Sequence, residues 1–235
     1  MKLNQLRKLI KEEIELLESR SEFDVNSNDV NKAYEYIKSE FEENDLDIDK
    51  EIPNFKENYK LLRDKLKQAL DISRFDMPVI NAKDKNRFQN DLSKGNIDIR
   101  KPYYKPNRYP KDLDKITGKQ WLKHGKMDSN KNDDKIKVKE KRVEASKLKP
   151  TQNQIWLAKI IDNFLTFGAK IDESIPATII TSKEGYIIDG HHRFARTLLV
   201  NPNAKLKILY VPLSIKELLK MARSYGNAIG NVSKK

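Results

Sequence analysis

The spacing of apolar residues changes along the chain, and this change limits the fold more than any other feature of the sequence. Up to about residue 72, apolar residues recur every three or four positions, as in helices that bury one face. From about residue 137, short β-branched runs alternate with helical segments. The pattern predicts an α+β chain with an α-helical module at 1–75 and a small mixed-sheet domain at 137–235.

The helical module is predicted to contain helices at 2–20, 28–42 and 54–72, the second capped by Asn28. The first helix has an apolar stripe of about two heptads, made of Leu3, Leu6, Ile10, Ile14 and Leu17. That length is too short for a stable coiled coil alone, so the stripe must pack on the next helices or on another subunit. We therefore expect this module to pack or to bind a protein partner rather than to catalyse.

Residues 76–136 are predicted to be a basic, irregular arm or linker, because Pro78, Pro102, Pro106 and Pro110 break long elements. A short helix is expected after Thr117, which forms a capping box with Gln120 and leaves Trp121 as its buried anchor.

Within this arm, basic residues alternate with tyrosines. Basic side chains attract phosphates, and tyrosine rings stack on exposed bases. The nucleic-acid-binding residues predicted on this basis are Arg100, Lys101, Tyr103, Tyr104, Lys105 and Arg108. The alternative interpretation is that the tyrosines pack onto the folded domain.

The net charge of +12 is unevenly distributed. The first 75 residues are acidic, and residues 95–235 are basic, which favours DNA or a nucleotide as a partner of the basic part. Cysteine is absent, which excludes disulfides, thiol catalysis and cysteine-based zinc sites. No apolar run is long enough for a membrane span, so we expect no membrane partner and an intracellular location.

The C-terminal domain is predicted to alternate strands and helices. The last helix starts at a second capping box, Ser214 with Glu217. The predicted elements are strand 143–148, helix 152–167, a hairpin of 177–181 and 186–188, helix 190–200, strand 206–211 and helix 215–225.

The turn from the hairpin into helix 190–200 is the candidate site. The first turn of a helix has free N–H groups and the positive end of the helix dipole, and glycine lets a ligand approach closely. The predicted phosphate-binding residues are Gly190, His192 and Arg193, and the candidate catalytic residues are Asp189, His191 and His192. Asp189 has three open roles: helix N-cap, metal ligand or base.

The segment Tyr186–Arg196, YIIDGHHRFAR, resembles the phosphate-binding signature of the ParB/sulfiredoxin superfamily. The stretch with Leu148, Pro150 and Gln152 is similar to that family's Leu-x-Pro-x-Gln motif, and the resemblance covers about residues 137–228. It implies a ParB-like nuclease of bacteriophage type in the host cytoplasm, with a divalent metal such as Mg²⁺ at Asp189 and one histidine. A bound nucleotide is the other cofactor that it implies.

The resemblance leaves several activities open. Sulfiredoxins have a catalytic cysteine where His191 stands, and partition clamps usually have Glu-Arg-Arg in place of His-His-Arg. Small-molecule kinases of the superfamily need an acid near Gln152, a role that only Glu173 or Glu184 could take here. A non-catalytic interaction protein, with the virion as an alternative location, is the remaining interpretation.

Overall fold

The computed structural model describes residues 24–25, 29–73, 76–104, 110–111, 115–127, 130, 132–168 and 179–231. Within these ranges, none of the helices has the length and apolar character needed to cross a bilayer. The helices are α1 Val30–Glu42, α2 Ile48–Glu51, α3 Phe55–Lys67, α4 Lys85–Ser93, α5 Gly118–Trp121, α6 Leu157–Phe167, α7 His191–Val200 and α8 Ile215–Ala228. The strands are β1 Lys139–Glu144, β2 Ile179–Thr181, β3 Ile187–Asp189 and β4 Lys205–Tyr210.

The four strands form one mixed sheet in the order β1-β4-β2-β3. Strand β4 pairs antiparallel with β1 and parallel with β2, and β2 and β3 form the antiparallel hairpin that the sequence predicts. These elements confirm the α+β class. The sheet places the end of β3, and therefore Asp189, at one edge.

Helices cover both faces of this sheet. Successive strand residues point to opposite sides, so each strand contributes side chains to both faces. Ile179 and Ile187 belong to a core with α1, α3, α6 and α7, whereas Ile180 and Ile188 belong to a second core with α4, α5 and α8. The apolar side chains on both faces of the sheet are therefore buried against helices. The N-terminal helices provide part of one layer, and residues 77–122 provide part of the other.

The helices α1 and α3 are present where the apolar stripes predict them, but their ends differ from the predicted ones. Helix α1 is capped by Asp29 rather than Asn28, and the Asp29 side chain accepts hydrogen bonds from two first-turn amides. Helix α3 ends at Lys67, five residues before the predicted end. Asn58 of α3 donates a buried hydrogen bond to the Leu199 carbonyl at the end of α7, 2.7 Å away. The predicted helix at 2–20 lies outside the described residues.

The expectation of an irregular arm is wrong for Lys85–Ser93, which form the helix α4. Its apolar residues Phe88 and Leu92 are fully buried in the second core. Pro78 and Pro102 lie on either side of this segment, and the helix fits between them. The positions of the prolines therefore did not exclude a helix here. The expected capping box of Thr117 and Gln120 is confirmed at α5.

Two elements of the C-terminal part begin elsewhere than predicted. Strand β1 lies at Lys139–Glu144 rather than 143–148, because it is an exposed edge strand of mainly charged residues that carries no apolar signal. Helix α6 begins at Leu157 rather than Gln152, since the Ile155 carbonyl accepts from the Val25 amide in an extended segment. The capping box of Ser214 and Glu217 at α8 is confirmed.

Candidate functional site

The turn between β3 and α7 has the backbone conformation that the glycine permits. Gly190 is the N-cap of α7 with φ of 96°, in the left-handed region that other residues rarely adopt. The N-cap residue is Gly190, which has no side chain, so Asp189 does not have the N-cap role that was open to it. The first turn of this ten-residue helix therefore begins without a capping side chain on its N-cap residue.

This turn faces a cleft of about 660 Å³. It is lined by the β3–α7 turn, by Gln152 and Asn163, and by residues 77–82, Lys85 and Asn231. The cleft therefore joins the predicted turn to parts of the chain that the sequence did not connect with it.

Lys85, the first residue of α4, is the main addition to the predicted site. Its side chain is 8% exposed, and its Nζ lies 2.5 Å from the Asp189 Oδ2. Burial lowers the pKa of Lys85, and the charge of Asp189 opposes that shift. Helix α4 is held in place through α8, where the Tyr225 hydroxyl donates to the Asp91 carboxylate at 2.9 Å.

Arg193 contributes a second cation to the cleft. Its Nε and Nη1 atoms are buried and have no hydrogen-bond acceptor within the described part of the chain. Burial lowers the pKa of Arg193, an effect that the charge of Asp189 opposes. The guanidinium carbon lies 5.8 Å from the centroid of the Phe167 ring. Since buried guanidinium groups are normally hydrogen-bonded, the two donors lack the acceptor that an anion would supply.

His191 also lines the cleft, although it is only 5% exposed. Its Nε2 accepts from the Thr151 amide at 3.2 Å, and the Thr151 hydroxyl donates to the Ile187 carbonyl at 2.7 Å. Burial lowers the pKa of His191 to about 3. A neutral imidazole that accepts a backbone hydrogen bond joins α7 to the segment before α6 and positions the turn.

The buried imidazole predicts an acid-sensitive fold. Because the folded pKa lies below the unfolded value of 6.5, this contribution to stability is complete above pH 6.5 and is lost as the pH falls toward 3. From pH 7 to pH 5 the free energy of unfolding should fall by about 2 kcal/mol more in the natural protein than in His191→Gln. Urea titrations of both proteins at the two pH values measure this difference, and equal decreases would contradict the account.

His192 is half-buried and lines the cleft together with Gln152. Glu184, a possible acid for a kinase, lies at the β2–β3 turn, where its carboxylate accepts from the Ile215 amide. It is not among the residues that line the cleft. Glu173 lies outside the described residues.

The predicted nucleic-acid-binding residues do not gather at the cleft. Arg100 is exposed and lies 3.5 Å from Asp133, and the Lys101 Nζ lies 2.8 Å from the His124 Nε2. Tyr103 packs its ring 6.0 Å from that of Trp121, as the packing alternative expects. Tyr104 lines a second cavity, and Lys105 and Arg108 lie outside the described residues.

The sequence around Lys85 contains a signal for a buried cation. Lys85, Phe88 and Leu92 are spaced three and four residues apart, so they share one face of α4, and all three are buried. A lysine in an apolar stripe indicates a buried cation, which needs a partner or a ligand. Nothing in the sequence identified Asp189 as that partner.

No protein-family model, curated protein or solved structure matches this chain. The ParB/sulfiredoxin resemblance therefore rests on the residues at 148–152 and 186–196 alone and stays a prediction.

Proposed function

We propose that this protein binds the phosphate group of a nucleotide or nucleic acid in the cleft at the beginning of α7. The phosphate contacts the amides of the first turn and the Arg193 guanidinium, with His192 and Lys85 beside it. The observation that carries the proposal is the pair of buried Arg193 donors, which have no acceptor among the described residues and belong to a side chain that lines the cleft.

The charge of the cleft supports the same conclusion. Among its described lining residues, Lys85 and Arg193 are cations, and Asp189 is the one carboxylate. The ligand-free site therefore keeps one excess positive charge in a partly buried setting, where an anion interacts more strongly than at an open surface. The positive end of the α7 dipole adds to this attraction.

The resemblance also implies a divalent metal such as Mg²⁺ at Asp189. Within the described ranges, no group of three or more His, Asp or Glu side chains is placed to hold a metal ion. The Lys85 ammonium stands on the Asp189 carboxylate, where a cation would bind. These residues do not fit a metal site, so the proposal includes no step through a metal, and phosphodiester cleavage stays a prediction.

Substitution of Arg193 tests the proposal. Isothermal titration with pyrophosphate, ADP, ATP and CTP should give saturable binding by the natural protein, and Arg193→Ala should weaken it about tenfold or more. Both proteins should unfold at similar urea concentrations, because the variant loses the contact of the guanidinium with the Phe167 ring but also removes two buried donors that lack an acceptor within the described residues.

Arg63→Ala is the matched control. Arg63 of α3 is also half-buried, its buried Nε has no acceptor in the described part of the chain, and it does not line the cleft. Binding by the control should equal that of the natural protein. The proposal is wrong if none of these ligands binds, or if the two arginine variants weaken binding equally.

A further inference from the structure

A second cavity adjoins the phosphate cleft and has a different character. Its volume is about 350 Å³, and it lies between α8 and the segments 76–79 and 102–104. Residues 77–79 and Asn231 line both cavities. The two cavities therefore adjoin, and we call the shared segment 77–79 the ridge. A ligand longer than one phosphate group can therefore extend from the cleft across this ridge.

The walls of the second cavity combine aromatic rings with cations. Tyr103 and Tyr104 are half-buried on one side, and Lys220 and Arg223 of α8 are exposed on the other. The Arg223 Nε donates to the Asp76 carbonyl, which fixes the guanidinium at the cavity wall. Lys220 and Arg223 outnumber the exposed carboxylate of Asp76, so the described lining of the second cavity has a net positive charge.

We infer that a single-stranded nucleic acid occupies both cavities and crosses the ridge at 77–79. This inference rests on the proposed function, because one phosphate of the strand occupies the cleft at Arg193. A base on the other side of the ridge stacks on Tyr104, and Lys220 and Arg223 attract the neighbouring phosphates. Rings supply stacking that tolerates any base, and cations supply attraction to the backbone, which is the combination that single strands require.

Helix α8 is placed for this role by close packing. A Cβ on Gly226 would lie 2.9 Å from the Val79 carbonyl oxygen, so only glycine lets the helix approach the ridge to this distance. Lys220 and Arg223 precede Gly226 on the same helix and line the cavity beside that contact. The charge pattern of the chain agrees, since its net charge of +12 is concentrated after residue 94.

The test measures binding of a fluorescent thymidylate dodecamer by anisotropy and binding of pyrophosphate by titration calorimetry. The natural protein should bind the dodecamer more tightly than pyrophosphate. The double variant Tyr104→Ala with Lys220→Ala should bind the dodecamer about tenfold more weakly and pyrophosphate unchanged. Tyr104→Phe retains the ring and should retain dodecamer binding.

Lys216→Ala is the matched control, because Lys216 is an exposed lysine of α8 that lines neither cavity. It should bind the dodecamer as the natural protein does. Equal losses in Lys216→Ala and in the double variant would overturn the inference, as would equally tight binding of a polyglutamate of the same charge. Pyrophosphate binding without stronger dodecamer binding overturns the inference alone, whereas failure to bind either probe overturns the proposed function.

Discussion

Asp189→Asn is expected to strengthen pyrophosphate binding about tenfold, and Lys85→Met is expected to weaken it about tenfold. Asp189 places a negative charge beside both cations of the cleft, so it competes with any anionic ligand for Lys85 and Arg193. An asparagine has almost the same shape and removes that competitor, and the bound pyrophosphate then replaces Asp189 as the counter-charge of Lys85. Methionine instead removes one of the two cations. The hundredfold difference between the variants corresponds to about 2.7 kcal/mol.

The measurement is isothermal titration of both variants with pyrophosphate, at low ionic strength and again in salt. The difference should shrink in salt, because exposed parts of the site are screened. Lys83→Met is the control: Lys83 is exposed and lies two residues before Lys85, but it does not line the cleft. Weaker binding by Asp189→Asn would contradict the account and favour the role of Asp189 as metal ligand or base.

Gly118→Ala should strongly destabilise the fold, although it adds only one methyl group. Its Cβ would lie 2.0 Å from the carbonyl oxygen of Ala228 and 2.8 Å from the carbonyl carbon, distances that require α5 and α8 to separate. Overpacked sites usually lose about 1–3 kcal/mol, and a clash with the Ala228 backbone, which cannot rotate away as a side chain could, places this one at about 3 kcal/mol. For a chain of this length, Tm should fall by roughly 10 °C.

Thermal and urea unfolding of Gly118→Ala measure this loss, with Lys119→Ala as the control. Lys119 is the exposed neighbour on α5, so its substitution should change the free energy of unfolding by less than about 0.5 kcal/mol. If the two variants unfold alike, α5 and α8 do not pack as described.

The sequence predicted those elements whose residues carry local signals. The capping boxes at Thr117 and Ser214 each satisfy two backbone groups within one turn, so they need no distant partner, and both are present. The hairpin and α7 were likewise predicted from β-branched runs and from Gly190. In contrast, β1 is a strand because it pairs with β4 along Lys139–Glu144, and no local feature of that charged segment indicates the pairing.

The site was predicted only as far as it is continuous in sequence. Asp189, Gly190, His192 and Arg193 lie together at the cleft because they follow one another at a strand-to-helix turn. The pairing of Lys85 with Asp189 spans the chain and depends on α4 packing against α8, so it was not predictable from spacing. The burial of His191 also depends on tertiary structure, because adjacent histidines on a helix point to different surroundings, which only the fold determines.

The most direct test of the phosphate site is a ¹⁵N NMR titration of the full chain with pyrophosphate. The amide resonances of His191, His192 and Arg193 should shift together and saturate with one dissociation constant, while that of Lys216 on α8 stays unchanged. If the first-turn amides of α7 do not shift at saturation, or if the shifts are confined to other surfaces, the phosphate is bound elsewhere and the central claim is wrong.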